Sequence, residues 1–368
     1  MKKRMTPFTL SVLFIFLMLS TQSQAQIHLD VGGYMQTWYI AEQQNELLDI
    51  NGNVYDTSVQ GFRMRRARTV ARGQISDSFS AATWMEFAGS SPTLLCFFAD
   101  AHIQPWFNIR FGQFIMPGQS FDTGRLPSSQ LIFYDRASIT STLSRTMGFD
   151  LFRDIGVMAY GQHGRLWYGI HASNGSGRFQ HAGSNITERN AGSGIYGGRV
   201  DFEMFDGFTL GGHFSTNQQR DVVQNGTGPF DINRTSYSFR AITNNLGIDG
   251  LFSQFEYMQL TSRDSNGGMM LNDEGEYNLH GFYTQIGYRI TADWHVLGRY
   301  DEMTQKPGQT FETGHFHTNR YVLGLSRYIR HDGNEIVRTH LNYSFGKSGP
   351  IELSDSILVL VFQLRFIP

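Results

Sequence analysis

Apolar and polar residues alternate with a period of two along most of this 368-residue chain. That pattern demands strands whose two faces meet different surroundings. The segment Ile195–Met204 sets Tyr196, Gly198, Val200, Phe202 and Met204 against Arg199, Asp201 and Glu203. From Ile336 to Phe345, Val337, Thr339, Leu341, Tyr343 and Phe345 oppose Arg338, His340, Asn342 and Ser344. Tyr237, Phe239 and Ala241 oppose Ser236, Ser238 and Arg240 in the same way. Tight turns at 75–78, 104–107, 162–165, 205–207, 247–250, 291–294 and 331–334 alternate with mostly longer connections at 42–60, 88–93, 117–153, 174–193, 217–232, 264–275, 304–318 and 347–356. Strand cores are expected at 29–40, 61–74, 79–87, 94–103, 108–116, 154–162, 166–173, 194–204, 208–216, 234–243, 251–262, 277–290, 295–303, 319–330, 335–346 and 357–367. Two-faced strands, even in number, with short turns at one rim and long loops at the other, predict an all-β transmembrane antiparallel barrel of about 16 strands. A soluble β-sandwich does not account for the alternation of connection lengths.

The opening MKKRMTPFTLSVLFIFLMLSTQSQAQ has a basic start at Lys2, Lys3 and Arg4, a short apolar stretch from Phe8 to Leu19 and a small-x-small site ending at Ala25. This is the layout of a secretory signal peptide, expected to be cleaved after Ala25. Residues 26–368 then form the barrel domain, exported to the bacterial outer membrane. Removing three basic residues leaves 27 basic against 32 acidic side chains, a net charge of −5. Only Lys306 and Lys347 of the 27 are lysines. With no basic excess, nucleic acid is not an expected partner. Cys96 is the single cysteine, so neither an intrachain disulfide nor a thiolate metal cluster is available.

The stretch Gly61–Ile75 raises a steric question, because it holds Arg63, Arg65, Arg66, Arg68 and Arg72. A regular strand cannot point all five the same way. An arginine on the lipid face costs about 2–4 kcal/mol near the bilayer midplane. If the following turn centres on Asp77, Arg68 faces Glu86, Val70 faces Trp84 and Arg72 faces Ala82. Ala67, Thr69 and Ala71 then pair with Phe87, Met85 and Thr83 on an uncharged face suited to lipid. Phe62 and Met64 suit lipid higher up, so the parity must switch. A β-bulge at Arg65–Arg66 would do this. The alternative is that Arg63 and Arg65 sit above the membrane and snorkel to the headgroups.

Arg110, Arg199, Arg240, Arg299 and Arg338 are further inward candidates. They form either a cationic track or ion pairs with Glu86, Asp100, Asp201, Glu203, Glu256 and Asp301. The connection 117–153 is too long to be idle. Its Arg125, Asp135 and Arg136 are candidates for the narrowest ring, or for pinning the segment to the wall. Tyr39, Trp106, Trp167 and Trp294 fall near strand ends, where interfacial aromatics belong, with packing under a loop as the alternative. His315 and His317 lack a third ligand, so no metal is expected, and no cofactor is called for. Cys96 shares parity with Asp100 and His102 and is read as lumen-facing or as a small buried side chain.

Four stretches in order, GFRMRRARTVARGQISDSFSA, DAHIQPWFNIRFGQFIMP, LIFYDRASI and RDIGVMAYG, resemble the phosphate-selective porin O and P family. They span roughly residues 60–161. The last strand, with Leu358, Leu360, Phe362, Leu364 and Phe366 on one face, resembles the recognition signal of outer-membrane barrels, although Ile367 and Pro368 follow its final aromatic. The resemblance implies a sixteen-stranded, trimeric, water-filled barrel with an inward-folded third loop and an arginine-lined pore. The family's lysine cluster does not carry over, since both remaining lysines fall in expected external loops.

The expected function is therefore passive diffusion of small hydrophilic solutes, with anions preferred. Outer-membrane lipids and a homotrimer are the expected partners. The chain is read as a channel and not as an enzyme. The alternatives are a lipase-like barrel enzyme and a plugged structural or adhesive barrel.

Overall fold

Backbone N–H and C=O groups in hydrocarbon have no water to bond, so spanning strands must find one another all the way round. In the computed structural model sixteen antiparallel strands do so. The structure describes residues 28–44, 47–48, 54–55, 58–117, 131–149, 152–175, 177–178, 194–224, 227–245, 247–264, 276–306, 316–349 and 353–366. The expected signal peptide, Arg125 and His315 lie outside them.

The barrel strands are β1 (His28–Gln44), β4 (Val59–Ser76), β5 (Phe79–Glu86), β6 (Thr93–Gln104), β7 (Phe107–Ile115), β8 (Arg153–His163), β9 (Leu166–Ser173) and β10 (Gly194–Phe205). They continue with β11 (Phe208–Gln224), β12 (Thr227–Asn244), β13 (Leu251–Asp264), β14 (Glu276–Arg289), β15 (Trp294–Lys306), β16 (Phe316–His331), β17 (Asn334–Gly349) and β18 (Leu353–Phe366). A two-residue ladder, β2 (Leu47–Leu48) with β3 (Val54–Tyr55), lies in the connection between β1 and β4. Each barrel strand pairs with its neighbours in sequence, and β1 closes the ring by pairing with β18 from Gly33↔Phe366 to Gln44↔Asp355.

Alternation decides what each face meets. Leu358, Leu360, Phe362, Leu364 and Phe366 are exposed on the outside of β18, whereas Val359, Val361 and Gln363 are buried within. The outer face also carries aromatic rings in contact across β14 to β17. Phe282–Tyr300, Tyr300–Tyr321 and Tyr321–Phe345 have centroid separations of 5.7, 4.8 and 5.3 Å. Rows of this kind suit the lipid–water boundary. Trp106 and Trp294 are exposed near the short turns, as expected of boundary aromatics. Trp167 is different: it pairs with the buried Asp201 and lies under Arg199, whose guanidinium carbon is 4.3 Å from the ring centroid.

The parity switch in β4 is a bulge. Gln36 pairs with Arg66 and Thr37 with Met64, leaving Arg65 as the extra residue. Phe62 and Met64 stay outside, while Arg63 faces Trp38 on the inside. Below the bulge the hairpin register is Arg68↔Glu86, Thr69↔Met85, Val70↔Trp84, Ala71↔Thr83 and Arg72↔Ala82, as the placement of the turn predicts.

The expected loop at 217–232 is instead a continuation of the sheet. β11 and β12 extend through it, pairing Asn217↔Arg234, Gln219↔Ile232 and Gln224↔Thr227. Polar residues on both faces there erase the hydrophobic alternation, yet backbone pairing needs no apolar face above the membrane.

Deleting Arg65 should remove the bulge and keep every other pair in register, so the barrel should unfold at nearly the wild-type urea concentration. Deleting Ala67 should absorb the bulge by moving Arg66 onto the lipid face, at a cost of about 2–4 kcal/mol. The two unfolding midpoints, followed by tryptophan fluorescence, check this.

Candidate functional site

The connection between β7 and β8 contains a helix, α1 (Ser138–Met147), that sequence patterning did not reveal. Its sequence, SITSTLSRTM, is rich in β-branched and hydroxyl residues with little helix propensity. Tertiary contacts supply the stability. Ile139, Leu143 and Met147, four residues apart, form one buried face. That face packs with Met258, Leu260, Leu279, Tyr283 and Met303 of the barrel wall. Ala137 offers no side-chain cap, and the wall provides one: Ser138 donates its N–H to Asp301 Oδ1 at 3.2 Å. A carboxylate at a helix N-terminus satisfies an orphan donor and complements the helix dipole. At the other end Gly148 takes φ +97°, and Asn217 Nδ2 donates to the Met147 carbonyl at 2.6 Å.

The chain before the helix is tied down as firmly. Arg338 Nη1 donates to the Leu131 carbonyl at 3.1 Å and Arg299 Nη1 to the Asp135 carbonyl at 2.7 Å. Tyr134 donates its backbone N–H to Asn342 Oδ1 at 2.8 Å, and its ring meets Trp38 edge-on at 5.6 Å. Burial raises the Tyr134 phenol above its ordinary value, so it stays neutral. Residues 131–149 therefore touch inner-face side chains from β1, β11, β15 and β17.

Between this segment and the β4–β6 wall lies a cavity of about 620 Å³. Eight arginines line it: Arg63, Arg65, Arg66, Arg68, Arg136, Arg145, Arg153 and Arg178. The acidic lining residues are Glu86 and Asp135, which leaves a formal excess of six positive charges. The whole chain, at −2, gives no hint of this concentration. Arg68 pairs with Glu86 at 2.6 Å and donates to Tyr34 Oη at 3.0 Å. Arg66, 3% exposed, donates to Gln36 Oε1 at 2.6 Å, and Gln36 in turn meets Gln363 across the closing seam. The Nε of Arg66 has no hydrogen-bond partner among the described residues. Arg63, Arg65 and Arg66 gather over Trp38, with guanidinium carbons 4.8, 5.2 and 6.0 Å from its ring. Such contacts contribute roughly 0.5–2 kcal/mol each and partly offset the repulsion among the cations. Arg153 donates to Cys96 Sγ at 3.1 Å, which places the single thiol in the wall beneath the cavity, 1% exposed.

The remaining arginine candidates have carboxylate partners elsewhere on the wall. Arg110 makes a two-point bond to Asp100 at 2.8 and 2.9 Å. Arg240, 0% exposed, bridges Asp201 and Glu256. Arg199 and Arg299 lie 3.1 Å from Asp201 and Asp301. Arg338 pairs with Glu335, and Arg72 sits opposite Asp30 near the short-turn rim. The structure thus divides the predicted residues. Arg63, Arg65, Arg66, Arg68, Glu86, Asp135 and Arg136 come together at the cavity. Arg72, Arg110, Arg199, Arg240, Arg299 and Arg338 do not. Arg145, Arg153 and Arg178 join the cavity without having been among the predicted site residues. The spacing of Ser141 and Arg145 would have been a signal once a helix was recognised. His317 meets Thr304 at 3.2 Å, and no group of three or more metal-ligating side chains occurs among the described residues.

No family model matches the chain, and no curated protein does. Solved structures do. OmpT of Vibrio cholerae, an outer membrane protein folded in vitro, superposes with a TM-score of 0.62 at 11% identity, over 93% of this chain and 100% of that one. Its trimer form gives 0.60 at 11% identity, over 92% and 99%. Salmonella typhi OmpF, in complex with daunomycin, gives 0.59 at 12% identity, over 92% and 98%. The chain is an outer-membrane-type β-barrel. The sequence reading of the chain as not an enzyme is corrected here. The matched barrels include several structures of OmpT at 11–12% identity, a likeness of fold that leaves an enzyme possible.

Replacing Asp301 with Ala should remove the cap on α1 and leave the buried Arg299 without its carboxylate, at a combined cost of about 3–5 kcal/mol. A nitroxide at Thr142 should then report increased helix mobility, with the barrel's circular dichroism unchanged.

Proposed function

We propose that the protein is an outer-membrane porin, a water-filled channel for passive diffusion of small hydrophilic solutes that favours anions. The observation that carries this reading is the arginine cavity. Eight guanidinium groups against two carboxylates around one cavity repel each other, and an anion relieves that repulsion. In a narrow passage the same field lowers the barrier for anions and raises it for cations. The segment 131–149 is the constriction of the proposed channel, since it presents Asp135, Arg136, Ser141, Ser144 and Arg145 to the cavity.

The likeness to phosphate-selective porins belongs to this proposal as a likeness of architecture. The cationic groups of the cavity are all arginines, so phosphate itself is not assigned as the solute. The exposed apolar band supports outer-membrane lipids as the surrounding medium. A homotrimer is proposed on the likeness to the trimer form of OmpT.

Purified protein in a planar bilayer should show stepwise, ohmic conductance. In a salt gradient the reversal potential should lie toward that of the anion. Arg136→Ala should shift it toward the cation value, and an unchanged potential would remove Arg136 from the filter. Absence of conductance by intact, folded protein would overturn the porin reading.

A further inference from the structure

Of the eight cavity arginines, Arg178 alone comes from neither a barrel strand nor the segment between β7 and β8. Arg178 follows β9, in a connection whose sequence pattern gives no inward direction, yet it lines the cavity. Its Nη1 lies 3.4 Å from the Leu94 carbonyl on the β6 wall. The backbone that carries it is held by Asp154, the second residue of β8, which is 0% exposed. Asp154 Oδ2 accepts the Gly175 N–H at 2.6 Å, and Oδ1 accepts those of Gly177 at 3.1 Å and Ile155 at 2.9 Å. Hydrogen bonds from backbone N–H to an ionised carboxylate are among the stronger ones. Gly175 and Gly177 take φ of +76° and +82°, where a side chain would be strained. A Cβ on Gly175 would also lie 3.2 Å from both Asn217 Oδ1 and Ile195 Cγ1. The turn is thus fixed to the same patch of wall that holds the C-terminal end of α1 through Asn217.

We propose that Arg178 is a specificity-determining residue of the channel, contacting small anions as they pass the cavity, and that Asp154 is the residue that positions it. The proposal rests on the porin reading above. It adds a second connection, beside the one between β7 and β8, to the parts that set selectivity.

The test is the reversal potential in a potassium chloride gradient, with chloride as the anion probed. Arg178→Ala should lower the chloride-to-potassium permeability ratio about two-fold, the Boltzmann weight, counted for both ions, of a unit charge acting across about 8 Å of water and screened over about one Debye length. Arg178→Lys should retain the ratio. Arg178→Cys should lose it and regain it on reaction with a positively charged methanethiosulfonate; wild type, whose Cys96 is 1% exposed, is the unreactive control. Asp154→Asn should lower the ratio as far as Arg178→Ala does, and the double variant no further, because residues acting through one contact are not additive. Additive losses would overturn the positioning role of Asp154. A wild type that conducts with anion preference while Arg178→Ala and Arg178→Cys leave the ratio unchanged would overturn the proposal alone. A folded wild type that does not conduct would overturn the porin reading and the proposal with it.

Discussion

The closed ring of backbone hydrogen bonds is the constraint on which the rest of the molecule depends. An open edge in hydrocarbon would leave a row of donors and acceptors unpaired, at several kcal/mol for each group. Pairing β1 with β18 removes that edge. Closure then fixes register all the way round, and register fixes which side chains face inward. The bulge at Arg65 follows from this. If the same sequence ran on without a bulge, the ring could keep its pairs only by turning Arg63 outward and Phe62 and Met64 inward.

The interior created by closure is far from uniform. On one side, Met258, Leu260, Leu279, Tyr283 and Met303 make an apolar seat for α1, an unusual lining for a wall that would otherwise meet water. Around that seat Arg199, Asp201, Arg240 and Glu256 neutralise one another and are shut away from solvent. On the other side the charges are left unequal. Arginines from β4, from the 131–153 region and from the turn after β9 converge with few carboxylates among them. The packed half braces the structure, and the unbalanced half has chemistry to offer a solute.

The helix shows how weak local preference yields to surroundings. SITSTLSRTM would not hold a helix in water, where a run of this length is marginal even with good helix formers. Asp301 supplies the missing N-terminal acceptor, Asn217 binds a C-terminal carbonyl, and the apolar seat takes the Ile139–Leu143–Met147 face. Each of these partners lies more than 60 residues away in sequence, so no local window could reveal them.

Period-two alternation, with short turns at one rim, carries the barrel, its strand number and the direction of most side chains, because a strand's two faces are written residue by residue. It also carries the lower β4–β5 register and the need for a bulge, since a regular strand would turn two of the five arginines toward lipid. Polar stretches such as 217–232 hid their strands, because pairing above the membrane leaves no hydrophobic trace. The grouping of charges was beyond local reading for a different reason. Arg66, Arg136, Arg153 and Arg178 become neighbours, while Arg240 is neutralised by Asp201 and Glu256, only once the ring has closed and the segment between β7 and β8 has found its seat. Proximity across a closed sheet depends on curvature and long-range packing, and neither has a period in the sequence.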